Sequence, residues 1–310
     1  MVSASNKKKL KGSDGFKARS RDDTVIAIVC YSVVTLFALT IIYPLLNVFS
    51  VAFASYRDYL IRPWMFFPTE VDLDAFRKVF HSSLIWNSYK NTIIITISGT
   101  LLTLVLTSLT AYPISRTYLK GRGVFTTIVI ITMVFNGGII PKFLVMKTIG
   151  LYDNLWSLII PGALTAFNII LMINFFKSLP DSLIEAAKID GASEPRILAQ
   201  IVVPLSKPIM ATIALFAAVQ YWNSYFSAVM YIRRQALWPV QLVLREIVLA
   251  NNTAALDAGN NLAEMGNSQI VYTKSLQYAA LIVVMVPIMC VYPFLQRYFA
   301  KGVMLGAVKG

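Results

Sequence analysis

The chain is poor in charge and in the side chains that carry chemistry. Of its 310 residues only 14% are Asp, Glu, Lys or Arg, while 57% are hydrophobic. A soluble domain carries roughly 25% charged residues, so this much apolar surface belongs in lipid. Length alone would suggest about two soluble domains, but a bundle of membrane helices of this length forms one unit. Histidine is nearly missing, and the one residue, His81, lies between apolar runs. There is no His/Cys/Asp cluster for a metal and no Gly-x-Ser-x-Gly elbow. The Gly-x-x-x-x-Gly-Lys-Ser/Thr phosphate loop is absent too, so the chain should not hydrolyse ATP itself. Cys30 and Cys290 both fall inside apolar runs, where spacing rules out a zinc cluster and small packing residues are the plain reading.

What is present is hydrophobic length. Six stretches contain no Asp, Glu, Lys or Arg: 24–56, 91–115, 123–141, 154–176, 208–232 and 275–296. A helix needs ~20 residues to cross ~30 Å of hydrocarbon. Five stretches meet that, and the third does so if it continues past Lys142 to Ile149. In lipid the backbone must close its own hydrogen bonds, which long helices do. The expectation is an all-α membrane protein of six transmembrane helices, near 24–53, 90–115, 123–149, 154–177, 206–232 and 275–297. The start of the chain resembles a signal peptide, with Ala52-Phe53-Ala54 as a cleavage-like site. A signal's apolar core spans only ~7–15 residues, so a retained helix is expected. No carboxylate lies within a run, whereas ion-coupled pumps need such groups at membrane depth. The energy for any pumping should come from elsewhere.

The net charge of +13 is spread as membrane topology demands. Seven of the 28 Lys and Arg residues lie in the first 21 positions. With the N-terminus in the cytoplasm, the inner segments 1–23, 116–122, 177–207 and 297–310 hold 17 basic residues, against eight in the outer segments 57–89 and 233–274. Both termini are therefore expected in the cytoplasm. A nucleic-acid partner is not expected, since its footprint would gather the charge on one face. The chain thus divides into a basic segment 1–23, a membrane domain 24–297 and a tail 298–310. Residues 251–269, rich in Asn, Ala and Gly, read as a surface loop after a short helix near 239–249.

The most informative inner segment is 178–204. Ser178 can cap a helix whose first turn holds Pro180 and Asp181, where proline and acid both suit a helix start. Leu183, Ala186 and Ala187 then share a face. Gly191 supplies a left-handed stop. Ser193 can cap a second helix that holds Pro195 and ends near Ile201, before Pro204. The result is a helix–turn–helix elbow, kept slim by Ala186, Ala187 and Ala192, from which Glu185 can reach a basic partner.

The series Glu185-Ala186-Ala187-Lys188-Ile189-Asp190-Gly191-Ala192, followed by Ile201 and Pro204, resembles the EAA motif of binding-protein-dependent ABC importer permeases. One departure is Val203, where the family usually has Leu; the swap is conservative in volume. From Asn136-Gly137-Gly138 through Ile232, and again at the tail Gly306-Ala307-Val308-Lys309-Gly310, the chain is similar to carbohydrate permeases of the MalG-like type, in particular the branch of LplC and YtcP. The resemblance implies that 178–204 is the coupling loop, with Glu185, Ala186, Ala187, Asp190, Gly191, Ala192 and Pro204 docking in a cleft of an ATPase. It implies a second permease subunit, two ATPase subunits that hold ATP and Mg, and an extracellular solute-binding protein contacting 233–274. No cofactor is implied for this chain. The implied activity is alternating-access import of a sugar, an oligosaccharide that includes acidic kinds, across the bacterial cell membrane. A peptide or other polar solute is the alternative cargo.

Solute contacts are harder to place. Tyr221, Trp222, Asn223, Tyr225 and Phe226 offer aromatic faces and an amide to a sugar, but equally suit bundle packing or an interfacial belt. Asn136 and Gly137, with Gly138 and Pro141, interrupt the third run; such breaks line cavities or allow close helix packing.

Overall fold

The computed structural model describes residues 21–135, 137–257 and 274–291, and within these the structure is almost wholly helical. The elements are α1 (Arg21–Ala52), α2 (Tyr56–Ile61), α3 (Asp74–His81), α4 (Ser83–Ser115), α5 (Arg122–Val134), α6 (Ile139–Thr148), α7 (Trp156–Ile159), α8 (Ala166–Lys177), α9 (Asp181–Ile189), α10 (Glu194–Ile197), α11 (Val203–Leu205), α12 (Lys207–Trp222), α13 (Tyr225–Tyr231), α14 (Val240–Asp257) and α15 (Lys274–Val291). The basic segment up to residue 20, Asn136 and the tail 298–310 lie outside the described residues.

Among the described residues, three unbroken helices, α1, α4 and α15, are long and apolar enough to cross a bilayer. The runs 123–149, 154–177 and 206–232 are not single straight helices, and the sequence shows why. Gly137 and Gly138 separate α5 from α6, with Gly138 at φ 84°, and the two axes differ by 112°. A Cβ added at Gly137 would meet nothing within 4 Å, so this break does not serve close helix packing. Pro161 and Gly162 form a 3-10 turn, after which the Thr165 hydroxyl accepts from the Asn168 N–H and starts α8 at 48° to α7. The fifth run stops at Trp222 and resumes at Tyr225. The helical stretch Glu194–Leu205 meets α12 at 86°. Conversely, α14 continues through Asp257, well past the short helix expected near 239–249; residues 258–269 of the expected loop lie outside the described residues.

The long helix α4 is the spine, packed chiefly on α12 and α8. Much of its buried stripe is small or polar, with Ser88, Thr92, Gly99, Thr103, Thr107 and Ala111 set among Ile85, Ile95, Tyr112 and Ile114. Small residues let backbones approach, which matters where lipid offers no hydrophobic drive between helices. A first core joins the end of α4 to α8, α9 and the start of α12 through Tyr112, Phe176, Ile184, Ile197 and Ile213. A second core, around Ile95, Ile159, Tyr221 and Tyr231, lies further along α4. A third joins α3 and α4 to α14 and α15. By contrast α1 is exposed along its apolar stretch, and only its C-terminal end is tied down: Asn47 donates to Pro63 O and Met65 O, both at 3.3 Å.

Candidate functional site

Gly191 stands at the centre of the elbow. Its φ of 78° lets the chain leave α9 through a left-handed residue. The Gly191 N–H donates to Lys188 O at 3.0 Å and the Ala192 N–H donates to Ala187 O at 2.9 Å. This pair of bonds is the Schellman closure, which satisfies carbonyls that a helix end would orphan. Ser193 occupies the start of the next helix with Pro195 in its first turn, as expected, but its hydroxyl makes no capping bond. Ser178 closes the preceding helix instead of opening α9: its hydroxyl donates back to Phe175 O at 2.7 Å, and Pro180 takes the starting position. The second helix does not end near Ile201. It continues through a π-turn, Leu198–Val202, in which the Val203 N–H reaches Leu198 O. The wide turn lets the chain take in Pro204, which has no N–H to give, at the start of α11.

Two faces of α9 have different tasks. Ile184 and Ala187 are buried against the first core. Leu183, Glu185, Ala186, Ile189 and Asp190 face outward. Ala187 therefore does not share the free face expected for it. Ile189 is 86% exposed, an unusual position for a large apolar side chain. Glu185 makes no side-chain hydrogen bond or ion pair among the described residues.

A polar clasp that sequence reasoning missed holds the elbow to α4. Arg116 is 3% exposed; its guanidinium donates to Phe176 O at 2.9 Å and to the Asp181 carboxylate at 3.4 Å. The Tyr112 hydroxyl donates to Glu194 Oε2 at 2.6 Å, and Lys188 Nζ meets Glu194 Oε1 at 2.8 Å. Lys188 also lies over the Tyr118 ring, 3.7 Å from its centre. Burial draws the Glu194 carboxyl upward, but hydrogen bonds from Lys188, Tyr112 and Tyr118 outweigh it and hold it below its ordinary value. The bond to Glu194 raises Lys188 in turn. The available signal was the placing of Lys188 and Glu194 on either side of Gly191, with Arg116 closing an uncharged run.

The residues expected along a solute path are divided by the fold. Tyr221 is 1% exposed and its hydroxyl donates to Ile159 O at 2.9 Å. A Cβ at Gly99 would come within 2.5 Å of the Tyr221 ring, so this tyrosine packs closely on α4 while also bordering the recess at the α12–α13 break. Trp222 is half-buried near Tyr89. Asn223, Tyr225 and Phe226 are exposed at the break between α12 and α13. Asn223 donates to Val219 O at 2.9 Å and accepts from Gln241 at 3.3 Å. A recess of about 290 Å³ opens there, to which Asn223, Phe226 and Lys142 contribute. Gly137 is exposed, away from this recess, and Asn136 lies outside the described residues.

Residues 103–305 match the family described as binding-protein-dependent transport system inner membrane component. The chain is 41% identical over 280 residues to the polygalacturonan/rhamnogalacturonan transport system permease protein YtcP of Bacillus subtilis (strain 168), covering 90% of this chain and 96% of the relative. It is 41% identical over 273 residues to protein LplC of the same organism, covering 88% and 90%. Among solved structures it is similar to a chain of a bacterial ABC transporter involved in the import of the acidic polysaccharide alginate, with TM-score 0.80, 36% identity, and 90% of this chain and 98% of that chain covered.

Proposed function

The chain belongs to the binding-protein-dependent transport system inner membrane components, and from that premise we propose that it is the permease subunit of an ATP-driven importer that carries an acidic oligosaccharide into a bacterial cell. The cargo follows from the relatives, whose names specify polygalacturonan, rhamnogalacturonan and alginate. The membrane domain crosses the cytoplasmic membrane six times, with α5–α6, α7–α8 and α12–α13 each serving as one span, and with both termini and the elbow inside. A second permease subunit completes the channel. Two ATPase subunits bind ATP and Mg, and an extracellular binding protein delivers the sugar near 233–274.

The observation that carries this reading is the free face of α9. Ile189 and Leu183 are exposed and Glu185 has no ion pair among the described residues, while Ile184 and Ala187 are locked to the bundle. A knob that exposes apolar side chains beside carboxylates on a rigid base is a docking element. ATP closes the ATPase dimer, its clefts carry the elbows along, and the helices attached to α8, α9 and α12 rock between two states. Only contacts that differ in free energy between those states can drive the change. The clasp therefore matters as much as the knob, because a loose elbow would dissipate the displacement.

The test is Glu185→Lys in the intact transporter. Reversing this charge is expected to abolish substrate-stimulated uptake while the subunit still inserts and the two permeases still copurify. Wild-type uptake by this variant, or purification of the intact transporter without any ATPase, would overturn the assignment.

A further inference from the structure

We propose that Lys142 is the point at which this chain receives the carboxylate of an acidic sugar during passage; the proposal rests on the oligosaccharide assignment above. Lys142 stands in the first turn of α6, just after the left-handed Gly138. The recess it lines is walled by Gln220, Asn223, Ser224, Phe226 and Ser227 around the α12–α13 break, and by the turn ahead of α8 with Tyr221 and Tyr231. The 16 residues of α12 set this recess ~24 Å from the elbow along the helix.

The chemistry of the recess is unbalanced in one respect. It holds amides, hydroxyls and an aromatic face, which suit a sugar ring of any charge. It also holds one ammonium group, and no ion pair among the described residues includes it. Asp153, on the loop ahead of α7, does not supply the counter-charge. Its carboxylate accepts from the backbone N–H groups of Arg233 and Arg234 and from the Arg234 guanidinium, at 2.7–2.9 Å. The Ser224 hydroxyl is buried with no partner. Lys142 is exposed on this chain and lies within the proposed third span, where lipid would penalise an ionised side chain that no water or solute path receives. A volume of about 290 Å³ is at the small end of ligand sites, which fits one sugar unit of a chain moving through in single file. A neutral saccharide has no use for the cation. A uronate does, through a charge-assisted bond to its carboxylate. A lipid phosphate is the competing source of negative charge, since lysines also snorkel to headgroups.

The experiment uses the whole transporter with its binding protein and ATPase in sealed vesicles, with tetragalacturonate and its methyl ester as probes. Lys142→Met is expected to lower uptake of the acid about tenfold or more relative to wild type, with uptake of the ester and basal ATP hydrolysis kept; Lys142→Arg is expected to retain both. The defect is expected to persist in vesicles of neutral lipid. Equal loss of both probes, no loss of either, or a defect confined to vesicles containing anionic lipid would overturn the proposal. Failure of the wild-type transporter to carry the acid overturns the cargo assignment as well, which separates the two failures. If Lys142→Met does not assemble, or the ester is not carried, amine acylation of the wild-type complex decides. Tetragalacturonate should protect Lys142 and the ester should not; absence of protection counts against the site.

Discussion

Glu194 joins three groups that the chain holds apart in sequence, and the three contacts are unequal. Its ion pair with Lys188 is partly open to solvent, with side chains 38% and 43% exposed. Such pairs contribute about 0.2–1 kcal/mol. The bond from Tyr112 reaches a carboxylate from a tyrosine that is itself buried, and hydrogen bonds to charged groups contribute about 1.5–3 kcal/mol. The tyrosine should therefore dominate. In double-mutant cycles on the purified transporter, Tyr112→Phe is expected to couple to Glu194→Ala more strongly than Lys188→Met does, read as shifts in Tm. The reverse order would show that the ion pair carries the clasp. The pH dependence is set by opposite signs. Glu194 is depressed below 4.5, so its contribution is present above that value and lost as pH falls through the lower folded value. Lys188 is raised above 10.5, so its contribution is present below that value and lost as pH rises through the raised one. The clasp should thus be insensitive to pH from about 5 to 10. The share of Tyr112 was not visible from residue types, because a tyrosine inside an apolar run has no sequence mark that distinguishes a clasp from packing. The same ambiguity covers Tyr221, which the fold assigns to packing through Gly99, a contact between residues more than a hundred positions apart.

At the scale of elements, the turn at Gly191 was legible because it follows from local backbone sterics. Only glycine adopts a φ of 78° freely, and a Cβ there would meet no neighbour within 4 Å, so the penalty of substitution is purely conformational. Alanine should cost about 1–2 kcal/mol at a left-handed position, and asparagine less. Proline cannot reach that φ and also deletes the N–H that Lys188 O accepts. Uptake per ATP hydrolysed is therefore expected to fall in the order Gly191, Gly191→Asn, Gly191→Ala, Gly191→Pro, with inserted protein unchanged. Wild-type coupling in the alanine and proline variants would mean that the elbow's shape does not transmit force. Bends were less legible. A count of uncharged residues finds length but not direction. It began the second span at Lys90, although α4 starts at Ser83 and carries Lys90 on its exposed side. Gly137 and Gly138 announced one break. Pro161-Gly162 and Pro204 through Pro208 announced others only once the π-turn and the 86° corner could be seen.

For the whole molecule, α1 poses the sharpest physical question. It has 32 residues, yet none of its most apolar stretch is buried within the chain. Val25, Ile28, Tyr31, Leu36 and Phe37 all lie more than half exposed. In water each such side chain would forgo roughly 1.5–3 kcal/mol of burial, a deficit that one subunit of this size cannot sustain. Lipid or a partner subunit must cover the helix. Cys30 reports on which surroundings it has, since its thiol is free and exposed in this chain, nine residues after Arg21. A charged reagent does not enter hydrocarbon, so a thiol there lies out of its reach. In sealed vesicles, with Cys290 replaced by Ala, a charged methanethiosulfonate should leave Cys30 unlabelled, and labelling should become complete on denaturation in detergent. Rapid labelling in the intact vesicle would place α1 in water and remove the first membrane span. Protection that persists in lipid but disappears when this subunit is purified away from its partner would assign the covering surface to the second permease.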